Sequence, residues 1–212
     1  MVSSRDAILK RLRAARKPFT DVAPIADRRH MVPLDDASPA ALRERFIREA
    51  QAHGCIVAAF SDAQQAVERV LQIIAPDTSI QSWDLAHIPL PGLAGAFARA
   101  GINIAPGDTS ARIGLTGADA ALAATGSLVL VAGPGKPRQP SLTPPVHIAI
   151  IRQDQIAPDL DTWAAAQRAN EYRSFRSASS VVVISGPSRT GDIANIPVRG
   201  VHGPGTVHII LV

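Results

Sequence analysis

One cysteine, Cys55, stands in 212 residues, and that scarcity excludes more than any other feature of the chain. A single thiol closes no internal disulfide, and it falls short of the cysteine sets that hold an iron–sulfur cluster or a structural zinc. Aromatic residues make up only 4% of the sequence, so any core is aliphatic, built from Ala, Val, Ile and Leu. No apolar run reaches the ~18 to 20 residues of a membrane-spanning helix. Residues 1–17 carry charges at helical spacing with no apolar centre, which sets aside a secretory signal. The patterns H-E-x-x-H, C-x-x-C, G-x-S-x-G and G-x-G-x-x-G are all missing. His30, His53, His87, His147, His202 and His208 do not recur at metal-ligand spacing, so no metal site is expected. The simplest expectation is a cytoplasmic protein without a membrane span.

Charge is mild, with 22 Lys and Arg against 18 Asp and Glu. The basic residues gather in Arg5, Lys10, Arg11, Arg13, Arg16 and Lys17. No aromatic residues are interleaved with them and no nucleic-acid motif follows. The cluster therefore reads as the solvated face of a helix, and no nucleic acid is expected as a partner.

Apolar residues are 46% of the chain, enough for a substantial core. Ser3 or Ser4 caps a first helix with Ile8, Leu9 and Leu12 as its stripe, and Pro18 ends it. Residues 18–37 read as an irregular connection, which divides the chain into an N-terminal part, 1–37, and an α/β domain, 38–212. Ser38-Pro39 starts a helix that Gly54 stops. Residues 55–60 read as a buried strand. Ser61-Asp62-Ala63-Gln64 reads as a capping box for a helix to about Ala75. Further strands are expected at 79–83, 112–115, 127–131, 146–151, 181–184 and 207–211, and helices at 93–100, 118–124 and 158–169. Continuous apolar strands separated by helices predict an open, mostly parallel sheet covered by helices on both faces.

Three glycine-rich polar loops adjoin those strands. Thr116-Gly117-Ala118-Asp119, with Thr125-Gly126-Ser127 after it, lies between an expected strand and an expected helix. Free amides there suit an anion, although a helix cap at Thr116 or Asp119 and a turn at Gly117 is the simpler reading. Gly133-Pro134-Gly135-Lys136-Pro137-Arg138 has the composition of a phosphate or carboxylate cradle, or of a solvent-exposed turn, and leads on to Pro144-Pro145-Val146-His147. The third is Ser185-Gly186-Pro187-Ser188-Arg189-Thr190-Gly191-Asp192, followed by Gly200-Val201-His202-Gly203-Pro204-Gly205. Arg189 suits a carboxylate or phosphate, or an ion pair with Asp192 that staples the loop. His202 suits a proton carrier, or a turn. Three such loops together favour a binding site beyond the carboxyl ends of the strands.

The stretches Thr116–Leu130, Ser141–Ala149, Ile184–Ile193 and Gly200–Pro204 resemble the LUD-domain family, and within it the lactate-utilisation C group. The resemblance is dense over residues 110–212. It implies a fold similar to the NagB/RpiA/CoA-transferase group. It also implies a part in oxidising L-lactate to pyruvate beside partner proteins that carry iron–sulfur clusters, with no cofactor in this chain. On that reading Thr116, Gly117, Asp119, Thr125, Gly126, Ser127, Gly186, Ser188, Arg189 and Thr190 are candidate substrate-binding residues for a small carboxylate or phosphate. His147, His202 and Asp192 are the candidate catalytic residues. Ala124 stands where the family often carries an acidic residue, and Gly191 where alanine is commoner. The alternative is a stand-alone enzyme of the same fold acting on a phosphorylated or CoA-linked small molecule.

Overall fold

The structure is a computed structural model, and it describes residues 4–15, 34, 36–176, 178–191 and 198–212. The chain divides into two compact units, residues 1–31 and 32–212. The first contributes helix α1 (Ser4–Ala15), on which the expected stripe residues Ile8 and Leu12 are exposed.

The second unit opens with α2 (Pro39–Ala52). Ser38 caps it, its hydroxyl accepting from the Ala41 amide at 3.3 Å, with proline in the first turn as expected. Its buried residues Leu42, Phe46 and Ala50 recur every four positions, and that stripe packs on β1 (Ile56–Ala59) and on β8 (Ile156–Ala157). Helix α3 (Ala63–Ile74) is capped by Asp62, whose carboxylate accepts from the Gln64 amide. The cap thus falls one residue later than a Ser61 capping box would place it. Next come β2 (Ser79–Ser82), α4 (Leu93–Ala100) and β3 (Asn103–Ile104).

Strands β1, β2 and β3 join β4 (Ile113–Gly117), β7 (Val146–Ile151) and β12 (Thr206–Leu211) in a six-stranded sheet of order β1-β12-β7-β4-β2-β3. Every pairing in it is parallel. Its centre is aliphatic: Leu115, Ile148, Ile150 and Ile209 are fully buried. Strand β1 lies at the edge, paired only with β12, so Ile56 is exposed where a buried strand was expected. An apolar run of this length does not distinguish a central strand from an edge.

The departure from expectation is a second sheet. Residues 118–124, expected as a helix, hold β5 (Ala120–Leu122), which forms an antiparallel hairpin with β6 (Ser127–Ala132). Strand β5 also pairs with β8, and β6 with β9 (Ser180–Ile184), giving the order β8-β5-β6-β9. Alanine prefers a helix by less than ~1 kcal/mol per residue, and burial overrides that here: every residue of β5 is buried and has neighbours on both sides. At the turn, Gly126 has φ 62°, and a β-carbon on it would stand 2.2 Å from the Ala50 amide nitrogen of α2. Glycine is what allows the hairpin to seat against the helix. Strand β9, expected in the core, closes the edge of this sheet, with Val181 and Val183 exposed.

Helices α5 (Leu160–Ala169) and α6 (Arg173–Arg176) precede β9, and the short strands β10 (Arg189–Thr190) and β11 (Val198–Arg199) pair antiparallel after it. Among the described residues no helix is long and apolar enough to cross a membrane.

Candidate functional site

The structure distributes the expected site residues over three places. The first is inside the sheet. Thr116 Oγ1 and His147 Nε2 are 2.9 Å apart, and both residues are fully buried. His147 lies opposite Gly114 in the sheet, where a β-carbon would stand 1.7 Å from the Pro140 carbonyl oxygen. The Gln139–Ser141 turn therefore lies directly on the strand and covers this face. Burial lowers the His147 pKa from 6.5 to about 4, so its imidazole is neutral. It is a core histidine, closed off from solvent.

The second place is at the carboxyl ends of β2 and β4. Strand β2 continues to β3 on one side and β4 to β7 on the other, so the connections of these two neighbours leave in opposite directions. Open α/β sheets commonly bind ligands at such a switch point. Here the chain's own side chains fill it. Gly117 lies against the His87 carbonyl. Asp119 accepts from the Val131 amide at 2.7 Å and from Lys136 Nζ at 2.5 Å. The Lys136 ammonium is 5.2 Å from the centre of the Trp83 ring, and Trp83 Nε1 donates to the Pro137 carbonyl at 3.0 Å. Asp119 does not cap a helix; it fastens the Gly133–Arg138 loop through Lys136.

The third place gathers most of the remaining candidates at the opposite, amino end of the parallel sheet. Gly54 and Cys55 lead into β1, and Pro204 and Gly205 lead into β12. Against them lies the stretch after β9: the Ser188 amide donates to the Pro204 carbonyl at 2.8 Å, and Gly186 lies against the His53 carbonyl. Arg189 Nη2 donates to the same His53 carbonyl, at 3.0 Å, capping the end of α2. The β5–β6 turn reaches this end too. Thr125 Oγ1, Ser127 Oγ and Ser185 Oγ form a chain of hydroxyls with spacings of 2.8 and 2.7 Å. Thr125, Gly126, Ser127, Gly186, Ser188, Arg189 and Thr190 are thus brought together, with the exposed His202 on the adjoining loop. Asp192 lies outside the described residues.

Cys55 is buried here, and burial pushes its thiol up to about 11 against a smaller opposing pull from Arg189. Among the described residues, no three His, Cys, Asp or Glu side chains come together in a way that could hold a metal ion. Sequence reasoning missed two members of this place, His53 and Arg199. A β-carbon on Gly54 would stand 3.0 Å from Arg189 Nη2 and 3.7 Å from Arg199 Nη2, so both guanidinium groups face it. The signal for Arg199 was its position in a β-prone pair, Val198-Arg199, just before Gly200. Sequence reasoning also missed a cleft of about 610 Å³ at the carboxyl ends of β1 and β12, lined by Arg43, Glu44, Phe60, Ser61 and Gln153 among others.

Comparison with known proteins gives a consistent picture. Residues 43–212 match the LUD domain family. A protein named lactate utilization protein C from Exiguobacterium is 40% identical over 102 residues, 48% of this chain and 44% of the relative. One of the same name from Deinococcus radiodurans is 37% identical over 100 residues, 46% of this chain and 45% of the relative. The uncharacterized protein YkgG of Escherichia coli is 35% identical over 94 residues, 44% of this chain and 41% of the relative. The aligned stretch thus spans less than half the length of these relatives. The crystal structure of a DUF162 family protein from Deinococcus radiodurans matches with a TM-score of 0.61 at 23% identity, covering 84% of this chain and 99% of that one. That likeness establishes the shared fold.

Proposed function

The chain belongs to the LUD-domain family, and from that membership we propose that it serves lactate utilisation as a subunit without a redox group of its own. In this reading it binds a small anion, carboxylate or phosphate, at the amino-end cluster, beside partner proteins that carry iron–sulfur clusters. The names of the relatives from Exiguobacterium and Deinococcus support the metabolic role. The observation that carries the site is Arg189. Its guanidinium has five donors, of which one is spent on the His53 carbonyl, and it is exposed beside hydroxyls and glycine-rich backbone that suit a carboxylate.

Oxidising a hydroxy acid to a keto acid removes two electrons and two protons. A base takes the hydroxyl proton, and an acceptor takes the electrons. His202, exposed on the loop before β12, and Asp192 are the candidates for moving a proton; His147 is neutral and fully buried, closed off from solvent. Cys55, alone and held protonated by burial, does not supply the thiolates of a cluster. The electrons therefore pass to a partner, and the chain's part is to hold the anion and to complete the assembly.

The test is thermal unfolding of the purified chain against L-lactate, pyruvate and inorganic phosphate, with Arg189→Gln alongside, and co-purification from lactate-grown cells. A ligand at ~100 times its dissociation constant adds about 2.7 kcal/mol of stability. Anion-dependent stabilisation lost in Arg189→Gln, together with co-purifying iron–sulfur proteins, is the expected result. No response to any anion and no such partners would overturn it.

A further inference from the structure

Arg189 and Arg199 are direct partners across the β10–β11 hairpin. Side chains so placed on an antiparallel pair share one face and stand close together. Both guanidinium groups then turn toward Gly54. Like charges directly opposite each other on a ladder destabilise it, and an opposite charge beside them relieves this. Among the described residues neither arginine has a carboxylate partner. The end of α2 accounts for one of them through a single hydrogen bond from Arg189 to His53, and Arg199 has no such bond among the described residues.

We infer that Arg189 and Arg199 form a two-arginine fork for a doubly charged oxyanion of the phosphate class. The inference rests on the reading that the amino-end cluster binds an anion, and it adds the charge class and the second binding residue. A monocarboxylate such as lactate neutralises one guanidinium and leaves the repulsion between the two. A phosphate group presents oxygens to both forks at once and cancels both charges, the geometry for which arginine is better suited than lysine. Both arginines are exposed and reachable from solvent, so the group can be a free ion or the terminal phosphate of a larger molecule.

The experiment titrates inorganic phosphate, glycerol phosphate and L-lactate into the full chain and into Arg189→Gln, Arg199→Gln and Arg199→Lys, at low ionic strength. Calorimetry and the unfolding midpoint are both read. Phosphate binds the wild type more tightly than lactate, Arg199→Gln loses about tenfold or more of that affinity, and Arg199→Lys recovers part of it. Without anion, Arg199→Gln unfolds at a higher temperature than the wild type, because the repulsion is gone; saturating phosphate reverses that order. Tighter glycerol phosphate binding identifies a phosphate ester as the ligand, and tighter inorganic phosphate binding a free ion; either supports the fork. If lactate binds, Arg189→Gln abolishes it, and Arg199→Gln binds every anion as the wild type does, the fork is wrong while the anion site stands. If no anion binds the wild type, both fall.

Discussion

Ser127 Oγ and Ser185 Oγ share a 2.7 Å hydrogen bond across 58 positions of the chain. Ser127 begins β6, and Ser185 follows β9, so one bond fixes the root of the hairpin turn to the root of the arginine-bearing stretch. The two ends differ in burial: Ser127 is 2% exposed, and Ser185 is open to solvent. Ser127→Ala removes the buried hydroxyl that makes both bonds of the chain, with an expected cost of about 1 to 2 kcal/mol in urea unfolding. Ser185→Ala should cost less, because the buried Ser127 hydroxyl that it frees keeps its bond to Thr125. No cost in Ser185→Ala would mean that the bond does not anchor the stretch.

Gly126 and Gly191 give opposite expectations for the same substitution. A β-carbon on Gly126 meets the α2 backbone at 2.2 Å and would sit on a residue with φ 62°. Gly126→Ala should therefore cost about 2 to 4 kcal/mol, as overpacking and left-handed strain add. Gly191 has nothing within 4 Å of its β-carbon position, and Gly191→Ala should fall within about 0.5 kcal/mol of wild type. Thermal denaturation of the pair checks both, and a soluble, wild-type-like Gly126→Ala protein would contradict the packing of the turn on α2.

His147 makes stability depend on pH in a stated window. Its pKa is 6.5 unfolded and about 4 in the fold, where burial disfavours the charged form. Between those values the unfolded chain binds more protons, so stability is complete above about pH 6.5 and is lost as the pH falls toward 4. At about 1.4 kcal/mol per tenfold the loss is about 3 kcal/mol. His208, half-buried and also lowered by desolvation, contributes in the same direction. His147→Asn keeps a hydrogen-bonding atom for Thr116 and removes the titration. Urea unfolding across this range should therefore show a shallower slope in the variant, and an unchanged slope would remove His147 as its cause.

How much of this was legible in the sequence depended on what each residue had to do. Val146–Ile151 and Leu93–Ala100 were readable residue for residue, because a strand buried on both faces is an apolar run and a short helix between glycines carries its own stops. Ala118–Ala124 was not. Its helical composition loses to a hairpin whose reason, the seat against Ala50, lies 76 positions away from Gly126 in the chain. The end of the sheet at which each loop lies was equally hidden. Asp119 and Arg189 both follow strands in sequence, yet one sits at the carboxyl ends and the other at the amino ends, because β9 belongs to the second sheet. Arg199 became a partner of Arg189 only through the register of a hairpin.

The Asp119–Lys136 pair predicts the largest polar effect among the described residues at the switch point. Asp119 holds both the Val131 amide and the Lys136 ammonium, and each side chain is about three-quarters buried, at 24% and 21% exposed. Asp119→Ala removes both bonds and leaves a mostly buried cation beside Trp83, for an expected cost of about 2 to 4 kcal/mol. Lys136→Met keeps the aliphatic stem along the indole and leaves Asp119 its backbone donor, so it should cost less. Because the two groups share one bond, the double variant should cost less than the two single ones together, a coupling that a double-mutant cycle in urea reads directly. Fluorescence adds a local check, since Trp83 stands beneath the ammonium while Trp163 pairs with Phe175 elsewhere. A shifted emission in Asp119→Ala with additive, sub-kilocalorie costs would mean that the cation moves freely and does not hold the loop. Coupling with the shift would make this pair the reason the chain's own lysine fills the crevice where such a sheet commonly takes a ligand.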